Sequence, residues 1–148
     1  MLYNFKNLNE LPLQAYWEYE KGKSIETNDV LKAIEIRNKY IEKIQNIFDR
    51  YDFLALPSAQ LFPFEKSLNN PEFINNDKID TYHRYMEVYT LSSLLGLPTM
   101  CIPVGFNTKG LPMGIQIIAN FKEDNKIINF AKSYEEIFNF SKFKPELI

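Results

Sequence analysis

The sequence predicts an α/β fold, a small mixed sheet with flanking helices, and three observations predict it. Two strand-like apolar runs, 99–106 and 113–119, are separated by turn-forming residues that include Asn107-Thr108-Lys109-Gly110, which suits an antiparallel hairpin. Phe53-Leu54-Ala55-Leu56 is an apolar run too short for a helix and closed by Pro57, which suits a buried parallel strand. Apolar residues at spacings near three and four mark helices before, between and after these runs. Strands are expected near 53–57, 99–106 and 112–119, and the main helices near 28–50, 80–95 and 124–139. The 99–119 hairpin should form the core.

Each element has a local reason. Residues 1–27 carry scattered aromatics (Tyr3, Phe5, Tyr16, Trp17, Tyr19) and read as an irregular segment, with a short helix around Leu13 to Glu20 and a break at Lys21-Gly22-Lys23-Ser24. Thr27 or Asn28 offers an N-cap, and Asp29 suits the positive end of the helix that follows. Val30, Ile34, Ile41, Ile44, Phe48 and Tyr51 then form one apolar stripe. Pro57 and Pro63 bracket Ser58-Ala59-Gln60-Leu61-Phe62, a segment expected to cross the end of the sheet, the edge where open α/β sheets bind ligands. Residues 64–78 read as a long polar loop. Residues 79–95 read as one helix, stopped by Gly96 and Pro98. Pro103 removes a ladder donor, so its strand should be bulged or at an edge there. Asp124 or Asn125 should cap the last helix, and 141–148 should be a loose tail. The domain proper is expected over 28–140.

The totals exclude several classes. Seventeen Lys and Arg against 19 Asp and Glu give a net charge of -2, which makes no electrostatic case for nucleic acid or an anionic membrane. No apolar run reaches the roughly 18 residues of a membrane span, and the N-terminus has no secretory pattern. A cytoplasmic location is expected. The single cysteine, Cys101, allows no internal disulfide and reads as a small buried hydrophobe rather than a reactive thiol. One His and one Cys make no typical structural zinc site. No metal and no cofactor are expected.

A set of short motifs in fixed order then carries a resemblance. Tyr51-Asp52-Phe53-Leu54-Ala55-Leu56-Pro57 follows a long helix. After the helix start at Tyr82 to Met86 come Gly96-Leu97-Pro98, Ile102-Pro103-Val104-Gly105-Phe106 and Gly110-Leu111-Pro112-Met113-Gly114-Ile115-Gln116. An acidic-capped helix carrying Ala131 and Glu135 comes last. Together these resemble the C-terminal portion of the amidase signature family, over roughly residues 28–138. The Ser58 to Pro63 and Tyr82 to Met86 segments look more like general amidases than like the A subunit of the tRNA-dependent amidotransferases. The resemblance implies a piece of a layered α/β/α fold, with an apolar edge or face where another part would pack. It also implies that the lysine, bridging serine and nucleophilic serine of that family's amide hydrolysis belong to a portion that has no match here. The five glycines are never adjacent, so no glycine- and serine-rich oxyanion loop is present.

No catalytic residue is therefore expected in this chain. Ser92-Ser93 reads as helix packing and His83 as a surface histidine. Gln116, mid-strand among apolar residues, reads as a structural strut in preference to a pocket residue. Gln60, Phe62, Tyr85 and Met86 are the candidates for a substrate-pocket wall. Three functions stay open. The chain is part of an amide (C–N) hydrolase, as a split, truncated or decayed product inactive alone; or a free-standing non-catalytic binding module; or part of the A subunit of a tRNA-dependent amidotransferase. The expected partners are a complementary N-terminal amidase half or a second copy.

Overall fold

The computed structural model describes residues 8–143, which fall into two compact units, one up to Tyr40 and one from Ile41 onward. Tyr3 and Phe5, and the part of the expected tail at 144–148, lie outside the described residues.

In the first unit, α1 (Leu13–Gly22) carries the expected short helix two residues further. It ends where the Ser24 hydroxyl donates to Lys21 O at 2.9 Å. α2 (Thr27–Phe48) begins in this unit and runs on into the second. Its cap differs from the expectation, because Thr27 and Asn28 lie inside the helix. Glu26 precedes the first turn, and Asp29 Oδ2 accepts the Glu26 N–H at 3.0 Å. A short carboxylate at the third helical position reaches back to a donor that the helix cannot satisfy.

The second unit is built on a three-stranded sheet of β1 (Leu54–Pro57), β4 (Thr99–Phe106) and β5 (Pro112–Ile118), in the order β1-β5-β4. Both pairings are antiparallel, with Leu54 and Thr99 each opposite Ile118. This corrects the expected parallel strand and mixed sheet. β1 and β4 do run in the same direction, but β5 lies between them and takes both ladders. β1 is also an edge strand, its residues alternating between half-buried and exposed. The segment 64–78 is not all loop either. It holds a two-residue hairpin, β2 (Phe73–Ile74) and β3 (Asp77–Lys78), turned at Asn75 with φ 54°. Asn tolerates that left-handed backbone.

The expected 80–95 helix is broken. α3 (Tyr82–Tyr85) and α4 (Glu87–Leu95) are separated at Met86, whose ψ of 2° leaves the helical range. A side chain 24 residues from Arg84 in sequence meets the break. Gln60 Nε2 donates to Arg84 O at 2.5 Å and to Tyr85 O at 2.8 Å, the carbonyls that an unbroken helix would aim at the next turn. α4 stops as the sequence predicts. Gly96 takes φ 69°, its N–H bonds Ser93 O and the Leu97 N–H bonds Ser92 O. This doubled termination uses the left-handed backbone that glycine adopts without steric cost.

Pro103 lies in the edge strand β4, and the register shifts between Pro103 and Gly105. Gly105 takes φ 140° there, a backbone that glycine adopts more readily than other residues. α5 (Asp124–Phe138) follows β5. Its N-cap is Glu123 without a side-chain bond, not Asp124 or Asn125. The first turn is tied instead by Lys126, whose ammonium is 2.9 Å from Asp52 and 3.2 Å from Glu123. Residues Phe140–Lys142 form a 3-10 turn in the expected tail, where Glu135 Oε1 accepts the Ser141 N–H.

Side-chain alternation divides the sheet into two faces. On one, Ile118 is fully buried with Ile44 of α2, Leu95 of α4 and Leu97, and Leu54, Leu56, Ile41 and Phe48 pack against them. On the other lie Ile102 and Ile117, both buried, and α5 lies against β4. Ile127 is its buried anchor, and the Tyr134 hydroxyl donates to Pro103 O at 2.8 Å.

Candidate functional site

The first sheet face has three successive rows. Leu54, Ile118 and Thr99 form the first, and Leu56, Gln116 and Cys101 the second. Ser58, Gly114 and Pro103 form the third, extended past β1 by the Ser58 N–H bonding Gly114 O at 3.0 Å. Ile118 anchors the first row in the core. Gln116 fills the second. The third row is the floor of a cavity of about 550 Å³.

Gln116 closes the core against this cavity. It is 3% exposed. Its Nε2 donates to Val88 O at 2.8 Å and to Pro57 O at 3.0 Å, and the Ser92 hydroxyl lies 3.3 Å from its Oε1. One amide thus ties β5 to β1 and to α4. Ser92 is buried and also 3.2 Å from Tyr89 O, so its single proton is used inside the helix packing.

The cavity walls come from three elements. The segment leaving β1 supplies Ser58, Ala59, Leu61, Phe62, Pro63 and Phe64. α3 supplies Tyr85, and the hairpin supplies Cys101, Pro103, Pro112, Met113 and Gly114. Phe64 and Tyr85 meet edge to face at 5.7 Å. None of these lining residues is charged. Gly114 is required by space and not by φ: a Cβ there would stand 2.9 Å from Ile102 O and Ser58 Oγ and 3.0 Å from Cys101 Sγ.

The four residues singled out from sequence are placed differently from one another. Phe62 and Tyr85 lie on the cavity wall. Gln60 is behind it, clasping the backbone of Arg84 and Tyr85. Met86 faces a separate shallow recess of about 420 Å³ with Tyr82, His83, Tyr89, Thr90, Ser93 and Leu94. Burial pushes the Tyr89 hydroxyl up from its ordinary value, with Tyr85 and Cys101 adding to the shift. A third, polar recess holds Gln60, Lys78, Arg84 and Glu87. There the Glu87 carboxylate, bonded to Arg84 at 2.6 Å, raises the guanidinium further above its ordinary range.

Cys101 is a correction. It is exposed, not a buried hydrophobe. β4 is an edge strand, and Cys101 lies beside the third row on the cavity lining. Ser58, Met113 and Gly114 were also not singled out as pocket residues. The available signal was a glycine within a strand, which marks close backbone approach. His83 is exposed, its ring 4.1 Å from that of Tyr82.

The Gln60 clasp makes a direct prediction. Gln60→Ala releases both carbonyls, and the unfolding free energy should fall by about 1–2 kcal/mol in a urea titration. The backbone amide resonances around Tyr85 and Met86 should shift, because the clasp holds the carbonyls of Arg84 and Tyr85. Unchanged amide signals there would show that the clasp does not hold the break.

A protein-family model described as Amidase matches residues 12–128. Among sequence relatives, the A subunit of the glutamyl-tRNA(Gln) amidotransferase of Chlorobaculum parvum is 33% identical over 109 residues, 72% of this chain and 21% of that one. The corresponding protein of Prochlorococcus marinus is 34% identical over 115 residues, 77% and 22% of the two chains. The chain thus spans about a fifth of the length of these relatives. Among solved structures, a bacterial aryl acylamidase of the amidase signature enzymes family superposes with a TM-score of 0.80 at 23% identity. That match covers 95% of this chain and 29% of the other, and the likeness is one of fold. No helix among the described residues is long and apolar enough to cross a membrane.

Proposed function

The chain belongs to the Amidase family, and from that premise we propose that it forms the C-terminal part of an amide hydrolase. In this reading it supplies the sheet, the flanking helices and one wall of the substrate pocket. The lysine and two serines that carry out the chemistry come from an N-terminal portion outside these 148 residues, and this chain by itself is inactive. The observation that carries the reading is the cavity at the end of the sheet. It is walled by three elements, yet among the described residues its hydroxyls and thiol, on Ser58, Tyr85 and Cys101, have no lysine, histidine or carboxylate beside them on the lining. A nucleophile needs an adjacent base, so this surface can shape and hold a substrate but not activate an attack. Phe62 and Tyr85 act here as wall residues, with Gln60 positioning Tyr85; Met86 lies on the neighbouring recess. The reading goes with a cytoplasmic protein.

The test is reconstitution. The purified chain is mixed with an N-terminal amidase portion that carries the triad, and ammonia or amine release from simple amides is followed. Activity from the mixture and none from either component is the expected result. Turnover by this chain alone would sink the proposal.

A second reading is favoured by the names of the sequence relatives. The chain would then be part of the A subunit of an amidotransferase, with glutamine as its amide. The same reconstitution separates the two, since ammonia release from glutamine but not from other amides selects the second.

A further inference from the structure

We infer that a strand of the N-terminal portion continues the sheet at its β1 edge, bonded to the backbone of Ala55, and that the β4 edge takes no such strand. The inference rests on the proposed amide-hydrolase reading and names where its other part joins.

The ladders fix which backbone groups face outward. The Ser58 N–H bonds Gly114 O at 3.0 Å, and the Ala119 N–H bonds Pro98 O at 3.1 Å. Along an antiparallel ladder, pairs that exchange hydrogen bonds alternate with pairs that do not. With Leu56 opposite Gln116 and Ile102 opposite Ile115, Leu54 and Leu56 therefore aim their backbone groups at β5, as do Met100 and Ile102 from the other side. Ala55 and Pro57 aim theirs off one edge of the sheet. Thr99, Cys101 and Pro103 aim theirs off the other.

The two edges differ. On β4, Pro103 has no N–H, its carbonyl accepts the Tyr134 hydroxyl at 2.8 Å, and the register shifts directly after it. A proline, a bulge and a covered carbonyl all stop an edge from pairing. β1 carries its proline, Pro57, only where the strand ends. At its centre Ala55 is exposed, and no described residue bonds its N–H or its C=O. An open donor and acceptor on an edge strand are a template for one more strand.

Packing selects the same edge. Ile118, on the central strand, is fully buried. Leu54 and Leu56 of β1, and Ile41 and Phe48 of α2, lie at the margin of that core and stay half-buried. A strand beside β1 would set every second side chain next to the two leucines, so its apolar residues on that face recur at a spacing of two.

A second copy fits this edge less well. Pairing two β1 edges about a two-fold axis puts Ala55 opposite Ala55 and Phe53 opposite Pro57, and the proline offers the Phe53 carbonyl no donor. A strand of different sequence can carry a donor at each position. The chain spans about a fifth of the length of its relatives, so a family member of full length has ample chain to supply one.

The experiment is amide hydrogen exchange, read by NMR on the isotope-labelled 148-residue chain, alone and mixed with the unlabelled N-terminal portion used for reconstitution. Alone, the Ala55 and Thr99 amides should both exchange freely. In the complex Ala55 should slow by about a hundredfold or more, as for an amide taken into a stable ladder, while Thr99 keeps its rate. Ala55→Pro should weaken assembly about tenfold, the effect of one lost hydrogen bond. Thr99→Pro should leave assembly unchanged. Both substitutions spare the ladders of this chain, because both donors face outward.

Slowing at Thr99 equal to or greater than that at Ala55 overturns the inference, as does a mixture in which neither amide slows. Slowing of Ala55 in the chain alone that grows with its concentration also overturns it, because a second copy then takes the edge. The two proposals fail separately. Turnover by the mixture while Ala55 still exchanges freely removes the added strand and leaves the hydrolase reading. A complex that protects Ala55 and turns over no amide removes the hydrolase reading and leaves the strand.

Discussion

Gln116→Leu is expected to lower the unfolding free energy by about 2–4 kcal/mol, because each buried polar group left without its partner costs about 1–3 kcal/mol. The leucine keeps the bulk but removes the donor to Val88 O and Pro57 O and the acceptor for Ser92. Three elements lose one shared tie. A urea titration followed by circular dichroism measures the change, and a shift below half a kilocalorie would show that the two carbonyls find water. Gln116→Glu adds a sign that can be checked against pH. A carboxylate facing two carbonyls is destabilised, so its folded pKa lies above the ordinary glutamate value of about 4.3. Stability should be nearest the parent below that pH, where the protonated acid can still donate one bond. It should fall as pH rises through the unfolded value towards the folded one, and stay low above it.

The same residue shows what was legible in the sequence. A glutamine among Ile115, Ile117 and Ile118 must find partners if it is inward, so a strut could be read without knowing its partners. Gly96-Leu97-Pro98 was equally legible, because a helix stop is chemistry within five residues. The hairpin needed only two runs and a turn. What was hidden depended on residues far apart in sequence. β1 pairs with β5 some 60 positions on (Leu56 opposite Gln116), and a four-residue apolar run carries no mark of ladder direction. The helix break at Met86 meets the side chain of Gln60, 24 and 25 positions from the carbonyls it holds, so the reading of 79–95 as one helix ran straight through it.

The pocket was legible only in part, for a related reason. Alternation assigns Cys101 to a face but does not say which helix covers that face, or how far along the strand the cover extends. Cys101 stands in the same row as the buried Gln116, yet it is exposed at the cavity margin. Phe62 and Tyr85 were named because they lie in segments expected to border a cleft, and the structure places both on the cavity lining. Met86 shared the same segment, and the break beside it turned it to another recess.

Gly114 is where fold and pocket meet. Gly114→Ala is expected to destabilise the chain by about 1–3 kcal/mol, the range for forcing a methyl into a filled site. The contacts separate into two kinds. Ser58 Oγ and Cys101 Sγ are side-chain atoms that a substitution can remove, whereas Ile102 O belongs to the β4 backbone and moves only if the ladder opens. The alanine variant should therefore be rescued partly, not wholly, by Ser58→Ala together with Cys101→Ala. A double-mutant comparison by urea unfolding measures the coupling, which should be favourable by about 0.5–2 kcal/mol for groups in direct contact. Full rescue would locate all of the strain in the two side chains and none in the ladder. No coupling would mean that the strand shifts as a whole, and the cavity floor would then be soft and not the fixed surface that a pocket wall needs.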